Sequence, residues 1–238
     1  MLISTDNART INTDSRLACT LAAVAGALNT AAFEIVGFFS ANMTGNVSSL
    51  SDNLAKANLK SGILFLSVVL LFIAGAAIST AIINAGRRRG IRTIFAVNIF
   101  IEGVALIALG VVEMWFDPAY PGLLLIFCLS FLMGLQNAVV TRISNARVRT
   151  THISGTATDI GIEVAMLMDV LRRKEPTKDA PVYLERLGLH FSTLVAFLVG
   201  GVAGIWLSKM FGYAFLIIIG SGLVYLSLVT VLKRRSGG

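Results

Sequence analysis

Charge is scarce in this sequence. Of its 238 residues, 14% are Asp, Glu, Lys or Arg, where a soluble domain carries about 25%. Cysteine and histidine are nearly absent, with two of each. Cys19 and Cys128 lie in apolar stretches without CxxC or Cys/His spacing. They read as small buried hydrophobes, not as a disulfide framework or a metal site. Two histidines offer little basis for metal-assisted hydrolysis. No nucleotide-binding loop is present, so ATP-driven pumping by this chain alone is not expected. No nucleic-acid module accompanies the net charge of +7, so no nucleic-acid partner is expected. No cofactor is implied.

Apolar residues are what the chain has in excess, at 55% with a mean hydropathy of +0.80. One soluble core of this size cannot hide that much apolar surface. Six runs of the length that spans a bilayer occur: 17–39, 61–84, 93–112, 122–141, 189–208 and 211–232. The runs are unbroken where barrel strands would alternate, so helices are expected. The first run resembles a signal-peptide core but continues to Phe39, too long for one, and is read as retained.

Orientation follows from the basic residues. Seventeen of the twenty Lys and Arg fall on the side of the two termini, and only Lys56, Lys60 and Lys209 on the other. Both termini are therefore expected in the cytoplasm, with the basic face against anionic lipid. The expected organisation is a flexible tail (1–16), a three-helix unit (17–114) and an outer loop (115–121). A second three-helix unit (122–232) contains a long basic connection (142–188), and a basic tail (233–238) follows.

The two units resemble each other. Gly26-Ala-Leu-Asn29 falls on Gly134-Leu-Gln-Asn137 with an offset of 108, and Asn42-Met-Thr-Gly45-Asn46 on His152-Ile-Ser-Gly155-Thr156 with an offset of 110. Gly62, Phe65, Val69, Gly75 and Ala77 fall on Gly188, Phe191, Val195, Gly201 and Ala203 with an offset of 126. Three spans per unit is an odd number, so the second copy is inverted. The expected fold is an all-α integral membrane protein of two inverted-topology three-helix repeats, with a glycine-containing break after the first helix of each. Such repeats are a frequent construction of secondary transporters, and interrupted segments at matching positions point to the transport site. Gly75 with Ser79 and Gly200 with Gly204 are small-xxx-small steps and read as packing features.

The stretch Phe39-Ser-Ala-Asn-Met-Thr-Gly-Asn46, taken with Gly134-Leu-Gln-Asn137 and Ser154-Gly155-Thr156, resembles the YoaK-like family of six-span bacterial membrane proteins, a domain-of-unknown-function group. The likeness covers about Leu17 to Leu232. It implies a bacterial plasma-membrane location and carries no settled substrate or catalytic residue.

Polar residues inside the spans supply the candidate site, because burying them in lipid is costly. Glu34 can bind a cation, carry a proton or face a substrate amine; alternatively it is neutralised by a structural partner. Arg142 either meets an anionic substrate or anchors at the cytoplasmic interface. Asn29, Gln136 and Asn137 can hydrogen-bond a polar solute or link helices. The breaks add Asn42, Thr44, Gly45 and Asn46 in the first unit, and Ser154, Gly155 and Thr156 in the second. Glu102, in the third span, is a candidate proton carrier. Asp159 and Glu163 share one face of 153–173, which reads as a re-entrant or an interfacial helix.

The reading these features favour is a transporter of a small polar or charged solute, with Glu102 offering a carrier for proton coupling and homo-oligomerisation left open. A scaffold or sensor, or a passive channel, is the alternative. An intramembrane enzyme built on His152, Ser154 and Asp159 is disfavoured, since His152 and Ser154 do not share a helical face and no nucleophile elbow is present.

Overall fold

The computed structural model describes Leu2 and residues 11–115, 121–174 and 176–235. Among these residues the chain is helical: α1 (Ile11–Val36), α2 (Met43–Ala55), α3 (Leu59–Arg88), α4 (Ile94–Trp115), α5 (Pro121–Ile143), α6 (Ile153–Leu171), α7 (Ala180–Phe211) and α8 (Ala214–Arg235), with one 3-10 turn at Thr177–Asp179. Six of them, α1, α3, α4, α5, α7 and α8, are long and apolar enough to cross a membrane. They correspond one to one with the six runs read from the sequence.

The limits differ. α7 starts at Ala180, where a span from Leu189 was expected, and α1 starts at Ile11 instead of Leu17. Helical hydrogen bonding continues through polar turns that a hydropathy reading leaves out. Pro181 sits in the first turn of α7, where its missing N–H costs nothing. The expected tail 1–16 is thus helical from Ile11, and Leu2 is fully buried in the core; the rest of that tail, residues 116–120 of the outer loop and residues 236–238 lie outside the described residues. The connection 142–188 is largely helix, made of α6 and the first turns of α7.

The packing joins the halves instead of keeping them apart. α1 lies chiefly against α7, α3 against α5, and α4 against α8, while the short helices α2 and α6 lie on α3 and α7. Small residues set the closest approaches. A methyl group on Gly26 would stand 2.1 Å from the Phe197 carbonyl oxygen; on Gly134 it would stand 2.0 Å from that of Phe72. Gly75 meets the Phe131 carbonyl and Gly200 that of Ala23 in the same way, each at 2.0 Å. Backbones this close gain dispersion and Cα–H···O contacts without needing a hydrophobic driving force. Side-chain hydrogen bonds add to them. Thr30 donates to the Gly201 carbonyl (2.9 Å), Gln136 Nε2 to that of Leu21 (3.0 Å), and Ser227 to that of Ala96 (2.6 Å).

The core runs along α1 and α5, where Leu17, Leu21, Leu28, Leu125, Leu129 and Met133 are fully buried. α3 and α7 flank it and expose rows of large apolar side chains, among them Leu66, Leu70, Ile73, Leu198 and Val202. Apolar surface on that scale is what lipid, not water, covers at no cost.

Candidate functional site

The site begins where α1 and α5 stop. Gly37, with φ of 72°, ends α1 and turns the chain back. The returning segment is held on both sides. Phe39 stacks on Phe33 of α1 with ring centroids 4.2 Å apart, and Phe38 rests on Phe65 of α3 at 4.8 Å. Asn29 Oδ1 accepts the Ala41 N–H (2.8 Å), and Asn46 Nδ2 donates to the Phe39 carbonyl (2.9 Å). Asn29 precedes the end of α1 by about two turns, or roughly 10 Å. The start of α2 is therefore drawn back to the level of that buried asparagine.

The second half does the same with other residues. After α5 the chain turns at Asn145 and Ala146, both with positive φ. Ser144 Oγ accepts the Val148 N–H (3.1 Å), and Asn137 Nδ2 donates to the Thr151 hydroxyl. The start of α6 is thereby brought to Asn137, again within the length of the preceding helix.

The glycines expected inside the breaks stand elsewhere. Asn42 and His152 are the caps, and Gly45 and Gly155 belong to the first turns of α2 and α6. A methyl group on Gly45 would lie 2.6 Å from Asn42 Nδ2, and one on Gly155 would lie 2.1 Å from His152 Nδ1. Each glycine leaves room for the cap side chain to fold over the helix start. The capping is unequal, however. Asn42 Oδ1 accepts the Gly45 N–H (3.1 Å), whereas the His152 side chain makes no capping bond at α6.

Between the two helix starts lies a cavity of about 840 Å³. Seven of the sequence-derived residues line it: Asn29, Asn42, Thr44, Gly45, Asn137, Arg142 and Ser154. Phe72, Ala76 and Thr80 close one wall from successive turns of α3, and Phe197 of α7 contributes to it. Arg142 also reaches Asn84 of α3, donating through Nη2 at 2.9 Å.

Five expected residues are not in the lining. Glu34 forms an ion pair with Lys209 of α7 at 2.9 Å, both side chains about half exposed. Gln136 ties α5 to α1 through Leu21. Asn46 is committed to the return segment, Thr156 Oγ1 donates to the His152 carbonyl (3.1 Å), and Gly155 lies beneath the His152 ring. The last four belong to the walls and caps of the cavity.

Sequence reasoning missed Arg149 and Thr151, and it placed His152 in the second break without naming it as a binding residue, yet all three line the cavity. The basic return segment after α5 resembled an ordinary cytoplasmic loop. The signal that could have found them was their placement just before the second glycine motif, opposite Ala41–Asn42 of the first.

Two polar groups lie apart. Glu102 on α4 is completely buried, and neither carboxylate oxygen has a hydrogen-bond partner among the described residues. Glu163 on α6 meets His190 of α7, Oε1 to Nδ1 at 2.9 Å, with Asp159 3.9 Å from the other ring nitrogen. A second cavity of about 500 Å³ opens beside this pair.

An all-helical chain with six membrane-length helices, and with two shorter helices that start at one shared cavity, defines a class of multi-pass membrane protein. This chain belongs to the family described as protein of unknown function (DUF1275), whose model matches residues 17–230. That match bears out the resemblance carried by Asn42–Asn46 and its companions. No curated protein and no solved structure matches the chain.

Proposed function

We propose that the protein is a secondary transporter of a small polar or charged solute, working by alternating access between two inverted three-helix repeats with the 840 Å³ cavity as its substrate site. The observation that carries this reading is a correspondence of contacts. Exchanging the halves maps α1 on α7 to α5 on α3, and α2 on α3 to α6 on α7, while α4 on α8 maps to itself.

The correspondence extends to single residues. Gly26 against Phe197 matches Gly134 against Phe72, and Gly75 against Phe131 matches Gly200 against Ala23. Gly103 against Val224 matches Gly220 against Ile107. These contacts relate α1 to α5 by 108 residues and α3 to α7 by 125. The second value is one less than the sequence alignment used, so Gly75 pairs with Gly200, not Gly201. Two equivalent halves around one site can exchange roles, which is the physical basis of alternating access.

Glu102 is the proton carrier in this reading, as a buried carboxyl with no internal partner. On the asymmetry of the basic residues, the protein sits in a bacterial plasma membrane with both termini in the cytoplasm and anionic lipid against its basic face. A transporter is favoured over an enzyme because Asp159, the acid a His152–Ser154 arrangement would need, faces His190 instead.

The test uses Thr44→Cys in a Cys19→Ala, Cys128→Ala background, probed in membranes with an impermeant maleimide. Alternating access expects labelling from either face. Labelling confined to one face in every condition rejects it and leaves the scaffold or sensor reading. Uninterrupted ion leak through the protein indicates a channel.

A further inference from the structure

The polar groups of the cavity are unequally divided between donors and acceptors. No Asp or Glu among the described residues lines it, whereas Arg142 and Arg149 both do. Arg149 has no hydrogen-bond or ion-pair partner among the described residues, and Arg142 spends only its contact with Asn84. Asn29 is 5% exposed, and its Oδ1 is committed to the Ala41 N–H. Its Nδ2 makes no hydrogen bond among the described residues and stands as an open donor in the cavity wall.

The backbone points the same way. α2 and α6 both open on the cavity, and neither has an acidic residue in its first turn. The first N–H groups of a helix have no intrahelical acceptor and carry the positive end of its dipole. At α2 the Asn42 cap satisfies one of them; at α6 no side chain among the described residues does.

We infer that the cavity binds a small oxyanion, such as a carboxylate, sulfate or phosphate, against the start of α6 between Arg149, Arg142 and the Asn29 amide. This rests on the proposed function and narrows its substrate to one class. A cation would find no carboxylate there, and a neutral solute would make no use of the charge on Arg142 and Arg149, both of which are exposed. A halide makes no use of the planar guanidinium fork, which matches two oxygens of one anion. Uncapped helix N–H groups at depth in a bundle are likewise met by an anion with oxygens to share.

The experiment is a thermal-shift and calorimetric titration of the purified full chain. Its probes are potassium phosphate, sulfate, formate, acetate and succinate, with potassium chloride as the equal-ionic-strength reference and sorbitol and choline as neutral and cationic probes. At least one oxyanion is expected to raise the melting temperature above the chloride reference and to bind saturably. Arg149→Gln is expected to weaken that binding by about tenfold or more, a change of about 1.4 kcal/mol. Arg149→Lys should recover it only in part, and Lys209→Gln, outside the cavity, should leave it unchanged. No response to any oxyanion overturns the inference, as does a response equal in Arg149→Gln and the parent protein. Saturable choline or sorbitol binding that Arg149→Gln leaves intact overturns the anionic class while leaving the transporter reading in place. Oxyanion binding without flux in proteoliposomes has the reverse meaning: the site stands and the transporter reading falls.

Discussion

The amide of Asn29 accepts the backbone N–H of Ala41 at 2.8 Å, and this one bond sets how far the chain after α1 re-enters the bundle. Without it, the N–H of a buried residue loses its acceptor and the start of α2 loses its anchor.

Asn29→Ala is therefore expected to destabilise the protein by about 1–3 kcal/mol, the cost of an unmet buried donor. Asn29→Asp keeps an acceptor for Ala41 but places a carboxylate where the amide donor was. It should retain more of the stability that Asn29→Ala loses and weaken oxyanion binding as strongly as Arg149→Gln. Thermal denaturation and titration of both variants separate the two roles.

Glycine positions differ sharply in what they tolerate. Gly134→Ala would drive a methyl to 2.0 Å from the Phe72 carbonyl, whereas a methyl on Gly161 meets nothing within 4 Å. The first change is expected to cost about 3 kcal/mol, at the upper end of ordinary overpacking. The second should be neutral or stabilising by up to about 1 kcal/mol, from helix propensity. Melting temperatures in one detergent suffice to compare them.

Glu34 and Lys209 form an exposed pair at one end of α1 and α7. Their interaction should be worth about 1 kcal/mol or less. Glu34→Gln is expected to leave solute binding unchanged, measured by the same titration. A large loss of binding would return Glu34 to the site.

The Glu163–His190 contact joins α6 to α7 at a position where the Glu163 side chain is 7% exposed. His190→Ala strands that carboxylate and is expected to cost about 3 kcal/mol. Pairing it with Glu163→Leu should restore part of the loss. Denaturation of the two single variants and the double variant supplies the cycle.

Glu102→Gln keeps the shape of a fully buried side chain and removes its ionisable proton. In proteoliposomes loaded with the solute found by titration, exchange should persist while accumulation driven by a proton gradient is lost. Accumulation equal to that of the parent protein would remove Glu102 from coupling.

Much of the fold was legible because lipid imposes a coarse pattern. Runs of apolar residues long enough to cross a bilayer stood out, and all six became helices. α2 did not stand out, since Met43–Ala55 is short and rich in Ser, Asn and Asp. Its helicity depends on the Asn42 cap and on packing against α3, neither of which periodicity reveals. In the site, Asn29 and Asn137 were legible as repeat-equivalent amides within apolar helices. For Glu34 the sequence left a site role and a structural partner both open, because an almost uniformly apolar helix does not announce its inner face. Glu34 follows Asn29 by five residues, about 140° further round the helix, which turns it away from the cavity. Gln136 adjoins Asn137 and is turned by about 100°, far enough to meet Leu21 instead.

The crossed pairing of the halves also bears on how the protein is made. Thr30 waits for Gly201, 171 residues later in the chain, and the surface around Gly26 waits for Phe197. During synthesis the opening helix lacks its chief neighbour until α7 is inserted, and contacts of such long separation form late. The first half released alone is thus an unfinished object with a bare seam. The two halves made as separate chains should accumulate only when produced together.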